Sequence, residues 1–166
     1  SGADYLVVNR GSRIEANGAP DAPIIFTSQN DLERRAINPS DTGGSAISEW
    51  GGVVVLGDAP ISRCQTAAVP GTNQCTNVVE GVTNPEASYG GSDAGDDSGV
   101  IRYVQIRFAG FAINQQGNEL NGLTLAGVGS GTTLEYIQVH NNSDDGSEMF
   151  GGTANLKYVV LTGNDD

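Results

Sequence analysis

The sequence predicts an all-β protein whose parallel strands stack as the coils of a solenoid, with two long loop insertions. Three observations carry this prediction: a strand motif recurs three times, 24 of the 166 residues are Gly, and no stretch shows sustained helical periodicity. Aromatic residues make up only 6% of the chain, which suits many short strands and tight turns. We expect one domain over residues 1–166, forming part of a longer protein because the chain stops within a repeat.

The first coil is predicted at the start of the chain. Residues 5–8, 13–15 and 24–27 have the composition of short strands. The segments between them contain turn-forming residues, namely Asn9, Gly11, Asn17, Gly18 and Pro23. A second strand type follows at residues 50–56 and 121–125, and in abbreviated form at residues 150–152.

A tyrosine-centred strand motif then recurs at residues 101–106, 134–139 and 156–161, with starts 33 and 22 residues apart. A separation near 22 residues fits one solenoid turn, and the larger separation fits the same turn with an inserted loop. Apolar and other residues alternate, which predicts strands buried on one face. The inward residues are then Val104, Ile106, Ile137, Val139, Val159 and Leu161. The outward face has a column of Tyr103, Tyr136 and Tyr158, and beside it a favourable charge column of Arg102, Glu135 and Lys157.

Two stretches without a strand pattern, residues 28–47 and 59–98, are predicted to be the loop insertions. The second contains the only cysteines, Cys64 and Cys75, in a Gly, Pro, Thr and Asn-rich segment without a CxxC pattern. We predict a disulfide that closes this loop, which would imply an oxidising compartment; two free thiols are the alternative.

Charge and hydropathy restrict the partners. The formal net charge of −12 makes nucleic acids and anionic membrane surfaces unsuitable partners and favours cations. The longest apolar runs, such as residues 53–56 and 158–161, are too short to cross a bilayer, so no membrane span is expected.

Calcium is the candidate cofactor. A shift of 22 residues places Asn142 over Asn164 and Asp144 over Asp166. Stacked carboxylates repel unless a cation lies between them, and calcium prefers such oxygen ligands. The predicted site comprises Asn142, Asp144, Asp145, Asp165 and Asp166. The alternative is a solvated turn in which the asparagines form a ladder.

Asp93, Asp96, Asp97 and His140 also have side chains that can bind a metal or take part in catalysis. Asp93, Asp96 and Asp97 form a second possible metal loop, although they lack the spacing of an EF-hand; a flexible acidic loop is the alternative. His140 is the only histidine; nucleophilic catalysis would need a partnered Ser or Cys, and zinc would need more nitrogen or sulfur ligands, so we expect a surface histidine without a catalytic role.

The outward tyrosine column is a possible glycan-binding face. Gln105, Gln138 and Arg107 flank Tyr103, Tyr136 and Tyr158 and would complete a strip of aromatic and polar groups. Such a strip can bind an extended polysaccharide through ring stacking and hydrogen bonds. The alternative is that the aromatic ladder only stabilises the solenoid.

Residues 49–57 (EWGGVVVLG) and 142–152 (NSDDGSEMFGG) resemble segments of secreted bacterial cell-surface proteins of the right-handed parallel β-helix class. The resemblance implies that fold and an extracellular location. It carries over no catalytic residue, because the class includes polysaccharide lyases, adhesins and proteins of no assigned function, and no lyase motif matches.

Two functions follow as hypotheses. The first is a non-enzymatic structural or adhesive module, stabilised by calcium, that displays loops to a polysaccharide, a protein or another copy of itself. The rival is a carbohydrate-active enzyme, either a polysaccharide lyase or a glycoside hydrolase. A lyase would use Asp144 and Asp145 with Arg107, and a hydrolase would need a carboxylate pair beside a groove.

Overall fold

The computed structural model describes residues 4–79, 82, 87–112 and 120–165. These residues form, in chain order, β1 (Tyr5–Val8), β2 (Ile14–Asn17), β3 (Ile24–Phe26), α1 (Gln29–Ile37), β4 (Gly52–Leu56), β5 (Asn77–Val78), β6 (Ser88–Tyr89), β7 (Gly99–Arg107), β8 (Leu123–Ala126), β9 (Thr133–His140), β10 (Ser147–Phe150) and β11 (Leu156–Thr162).

All strands except β5 and β6 form two parallel sheets, and the chain passes repeatedly from one sheet to the other. The first sheet has the order β1-β4-β8-β10. In the second, β11, β9 and β7 are neighbours, while β2 pairs with the first half of β7 and β3 with its second half. The ungapped alignment of the three tyrosine-centred strands is confirmed by the register, because Ile101 pairs with Leu134 and Leu134 with Leu156.

The apolar core lies between the inner faces of the two sheets. Val104, Ile106, Ile137 and Val139 are fully buried there, as the alternation predicts. The prediction for the third copy is wrong in part, since Val159 is only half-buried and Leu161 is 47% exposed. The reason is that, among the described strands, β11 is the outermost of its sheet, so its side chains are covered from one side.

Strand β4 is buried on both faces. Val53 and Val55 belong to the core between the sheets, whereas Val54 and Leu56 point the other way. Residues of the 59–98 segment cover that outer face, among them Ile61, Cys75, Val79, Val82, Ala87 and Tyr89. The same segment contains the antiparallel pair of β5 and β6. The predicted disulfide between Cys64 and Cys75 is present.

The expectation that residues 28–47 lack regular structure is wrong, because α1 lies within them. Ser28 caps the helix by accepting a hydrogen bond from the Asp31 backbone N–H at 3.0 Å. The helix has only nine residues and the buried residue among them is Asp31, so its sequence shows no apolar periodicity. This helix is too short and too polar to span a membrane.

The position predicted for the abbreviated copy of the second strand type, residues 150–152, is also wrong. Phe150 is the last residue of β10, and it pairs with Ala126 at the end of β8. Gly151 and Gly152 therefore follow their strand, whereas Gly51 and Gly52 stand at the beginning of β4. The glycine pair alone cannot distinguish the two ends of a strand.

Candidate functional site

The three tyrosines occupy a bend that recurs in β7, β9 and β11. Tyr103, Tyr136 and Tyr158 have φ angles of 48°, 55° and 56°, which lie in the left-handed region. Such a residue interrupts the alternation of a strand. As a result, residues on both sides of each bend point inward: Ile101 and Val104 are three positions apart, yet both are buried.

The tyrosine rings form a continuous stack. The ring centroids of Tyr103 and Tyr136 are 4.6 Å apart with planes at 11°, and those of Tyr136 and Tyr158 are 4.5 Å apart at 15°. Partial burial raises the pKa of the Tyr136 phenol, and the neighbouring phenols of Tyr103 and Tyr158 raise it further. The ring faces therefore contact each other, and the exposed part of the column consists chiefly of ring edges and phenol groups. A sugar therefore meets ring edges and phenol groups over most of the column, and binding of a polysaccharide there stays a prediction.

A groove of about 330 Å³ runs beside the stack. Gln105 and Gln138, which are paired in the sheet register, line it together with the three tyrosines, Pro20, Pro23 and Val160. Both glutamines are half-buried, and neither side-chain amide forms a hydrogen bond with the described residues. We call this the tyrosine groove. It offers amide and phenol groups, repeated at one strand spacing of about 4.8 Å, to a ligand that extends across the strands.

Arg107 does not belong to this groove, and its predicted place on the exposed face is wrong. The residue is only 7% exposed, and its guanidinium lies 4.9 Å from the ring centroid of Phe108. Its Nη1 is 3.8 Å from Oδ2 of Asp31 in helix α1. Burial lowers the pKa of Arg107, and the Asp31 carboxylate opposes that shift. The helix that sequence analysis missed is what covers this arginine.

Asp31 is the centre of a buried ionic cluster that the sequence did not reveal. Its carboxylate is 1% exposed and lies 3.8 Å from Arg34, 3.5 Å from Arg35 and 3.8 Å from Arg107. Thr27 donates a hydrogen bond to Oδ2 at 2.9 Å. We call Asp31 and these three arginines the Asp31 cluster.

A second carboxylate extends the Asp31 cluster. Glu49 accepts hydrogen bonds from Arg34 and from the Ser28 hydroxyl. Burial alone would raise the pKa of Glu49, but the hydrogen bonds from Arg34 and Ser28 outweigh it and lower the pKa overall. These hydrogen bonds connect α1 to the segment that precedes β4. Their role is therefore to hold the helix in place.

The predicted calcium turn is built around asparagines. The Asn142 backbone N–H donates to Oδ1 of Asn164 at 3.0 Å, which agrees with the predicted stacking of these two residues. Nδ2 of Asn142 donates to the carbonyl of Asp145 at 2.8 Å, and the Asp165 N–H lies 3.4 Å from the Asp144 carbonyl. Asp166 lies outside the described residues. Within the described ranges, no group of three or more His, Cys, Asp or Glu residues is arranged to hold a metal.

The carboxylates of the second acidic loop contact groups within the loop and the arginine of a distant segment. Asp93 accepts a hydrogen bond from the Gly95 N–H at 2.9 Å, and Asp96 accepts one from the Ser98 hydroxyl at 3.1 Å. Asp97 pairs with Arg13, whose hydrogen bond, together with the Gly99 N–H, lowers the pKa of Asp97. The three carboxylates thus each have a role in the loop.

His140 lies in register with Arg107 and Thr162, as the alignment predicts. Its Nδ1 is 2.9 Å from the Thr162 hydroxyl oxygen, and its ring packs edge-on against Phe108 at 5.8 Å. Arg102 and Lys157 lie 3.7 and 3.9 Å from the Glu135 carboxylate, so the predicted charge column is also present.

Comparison with known proteins agrees with the parallel sheets. Neither the curated proteins nor the solved structures contain a match to the chain. A family model does match, and it covers residues 1–166. The chain therefore belongs to the family described as the pectate-lyase-like beta helix domain.

Proposed function

We propose that this chain is an extracellular, right-handed β-helix module that binds an extended, uncharged polysaccharide along the tyrosine groove without cleaving it. The observation that carries the proposal is the pair of amides, Gln105 and Gln138, that line the groove beside the stacked tyrosines. Amides and phenols match the hydroxyl groups of a sugar as both donors and acceptors. A groove that repeats at the strand spacing suits a polymer better than a single small molecule.

The family supports carbohydrate binding, and the disulfide supports an extracellular location. A pectate-lyase-like domain is compatible with a role in carbohydrate binding. The bond between Cys64 and Cys75 favours an oxidising compartment, and we propose a bacterial cell surface. The described lining of the groove contains no Asp, Glu or His, which favours adhesion over cleavage.

The test is a calorimetric titration of the 166-residue chain with cellohexaose and with xylohexaose. Gln138→Ala is expected to weaken binding about threefold to tenfold, because one net hydrogen bond to a sugar hydroxyl is lost. Gln29→Ala, on helix α1 and outside the groove, is the matched control and is expected to change nothing. Equal affinity of the wild type and Gln138→Ala would contradict the proposed site. New reducing ends or unsaturated sugars after long incubation would instead favour the rival function, a hydrolase or a lyase.

Calcium at the Asn142 turn stays a prediction. If an ion binds only the folded arrangement, calcium at about 100 times its dissociation constant adds about 2.7 kcal/mol of stability. Asp144→Asn should remove most of this gain, and Asp21→Asn, an exposed position outside both acidic loops, is the control that should retain it. The measurement is the melting temperature in calcium and in chelator. Identical melting temperatures of the wild type in both solutions would count against a metal at this turn.

A further inference from the structure

A second groove lies between the 59–98 segment and strand β10. Two adjoining cavities of about 400 and 190 Å³ share the same three lining residues, Arg63, Tyr89 and Phe150. The rings of Tyr89 and Phe150 lie 6.2 Å apart and are tilted by 47°, so they form an angled aromatic wall. Gln65 adds an exposed amide. We call this the Arg63 groove; it shares no lining residue with the tyrosine groove.

Arg63 differs from every other cation of the chain. Of the eight Lys and Arg residues, seven form ion pairs with carboxylates of the described residues. Arg63 is exposed and has no such pair within the described part of the chain. In a protein with a net charge of −12, an exposed arginine in a groove that pairs with none of the described carboxylates is suited to an external anion.

The backbone that carries Arg63 is held in place. The next residue, Cys64, is bonded to the fully buried Cys75. Nδ2 of Asn77 donates a hydrogen bond to the Arg63 carbonyl at 3.2 Å. A ligand therefore meets a preformed backbone and orders mainly the arginine side chain, which keeps the entropic cost of binding small.

The charges around Tyr89 show which side of the groove suits an anion. Burial raises the pKa of Tyr89, the positive charge of Arg63 opposes the shift, and the negative charge of Glu148 adds to it. Glu148 is already engaged, since its carboxylate accepts a hydrogen bond from Asn121 at 2.8 Å. An anionic group is therefore favoured beside Arg63, and the aromatic wall remains for an apolar ring face.

We propose that the Arg63 groove is a second glycan site, which binds a sugar residue that carries a single carboxylate. The guanidinium would hold the carboxylate with paired, charge-assisted hydrogen bonds, and the sugar ring would pack against Phe150 and Tyr89. A polymer with a carboxylate on every sugar is disfavoured, because the remaining surface is strongly acidic and repels it. The site thus selects an isolated acidic sugar within or at the end of a glycan.

The experiment compares two disaccharides that differ only in one group: cellobiose and the same disaccharide with a terminal glucuronate. Titration of the 166-residue chain at low ionic strength is expected to give about tenfold or more tighter binding of the acidic form. Arg63→Gln should abolish that preference, and Arg63→Lys should retain part of it, because lysine keeps the charge without the planar fork. Arg10→Gln is the control: its guanidinium is 3.6 Å from Asp58, outside this groove, and the preference should persist.

Equal affinity for the acidic and neutral disaccharides would overturn the proposal, as would a preference that survives Arg63→Gln or the absence of binding to either sugar. The melting temperature of each variant and the mass of the oxidised chain verify that the fold and the disulfide are intact. Gln138→Ala is expected to leave the acidic preference unchanged, so failure of the tyrosine groove and failure of the Arg63 groove are distinguishable.

Discussion

Asp31→Asn is expected to lower the free energy of unfolding by about 3–5 kcal/mol, because it removes the carboxylate from a buried ionic cluster. Arg107 would then be a buried cation whose ion pair is lost, and Arg35 would also lose its partner. Asparagine has nearly the same shape as aspartate, so the loss is electrostatic and not a packing defect. Urea unfolding followed by circular dichroism measures the change.

The matched control for this experiment is Glu33→Gln on the same helix. Glu33 is exposed and accepts a hydrogen bond from Gln29. Its replacement should alter the unfolding free energy by no more than about 0.5 kcal/mol. If Asp31→Asn proved as mild as this control, the Asp31 cluster would not be what anchors α1.

Ile137→Ala is expected to cost about 2–5 kcal/mol of unfolding free energy, because it leaves a cavity between the two sheets. Ile137 is 1% exposed and has a neighbouring strand on each side, β7 and β11. The comparison is Val160→Ala on the outermost strand, where the side chain is 51% exposed and a smaller loss is expected. Similar losses in the two variants would mean that the inner faces of the sheets are not the principal core.

The repeated strands were predictable from the sequence because apolar and polar residues alternate along a strand that is buried on one face. Matching residues in the three segments predict the register, and the pairing of Ile137 with Val104 and Val159 agrees with it. The disulfide was predictable for a different reason: only two cysteines are present, and they occur in one loop.

The bend at each tyrosine could not be predicted in this way. Left-handed backbone is usually assigned to Gly or Asn, and a bulky residue such as Tyr136 gives no such signal. Its consequence is that Ile101 and Leu134, which precede the bends, are buried alongside Val104 and Ile137. A strict alternation through the tyrosine would have placed the two sets on opposite faces.

The misplacement of Arg107 has a tertiary cause. Local sequence indicates which way a side chain points from its strand, but not whether a distant segment covers it. The covering segment is α1. Its buried residue is Asp31, so the helix sequence lacks the apolar face that would predict a packed helix. Gln105 and Gln138 line the groove beside the tyrosines, whereas Arg107 is buried and lies outside it; glycan binding at this face stays a prediction.

The burial of β4 on both faces also affects the order in which the strands unfold locally. Its backbone amides lie between β1 and β8, with apolar side chains above and below them, so water reaches them only after neighbouring elements have separated. Within the described part of the 166-residue chain, β11 pairs with β9 alone, and most of its side chains are exposed. Hydrogen exchange should therefore advance from β11 inward, with β4 exchanging last, so that the stack frays from that edge as a sequence of local openings.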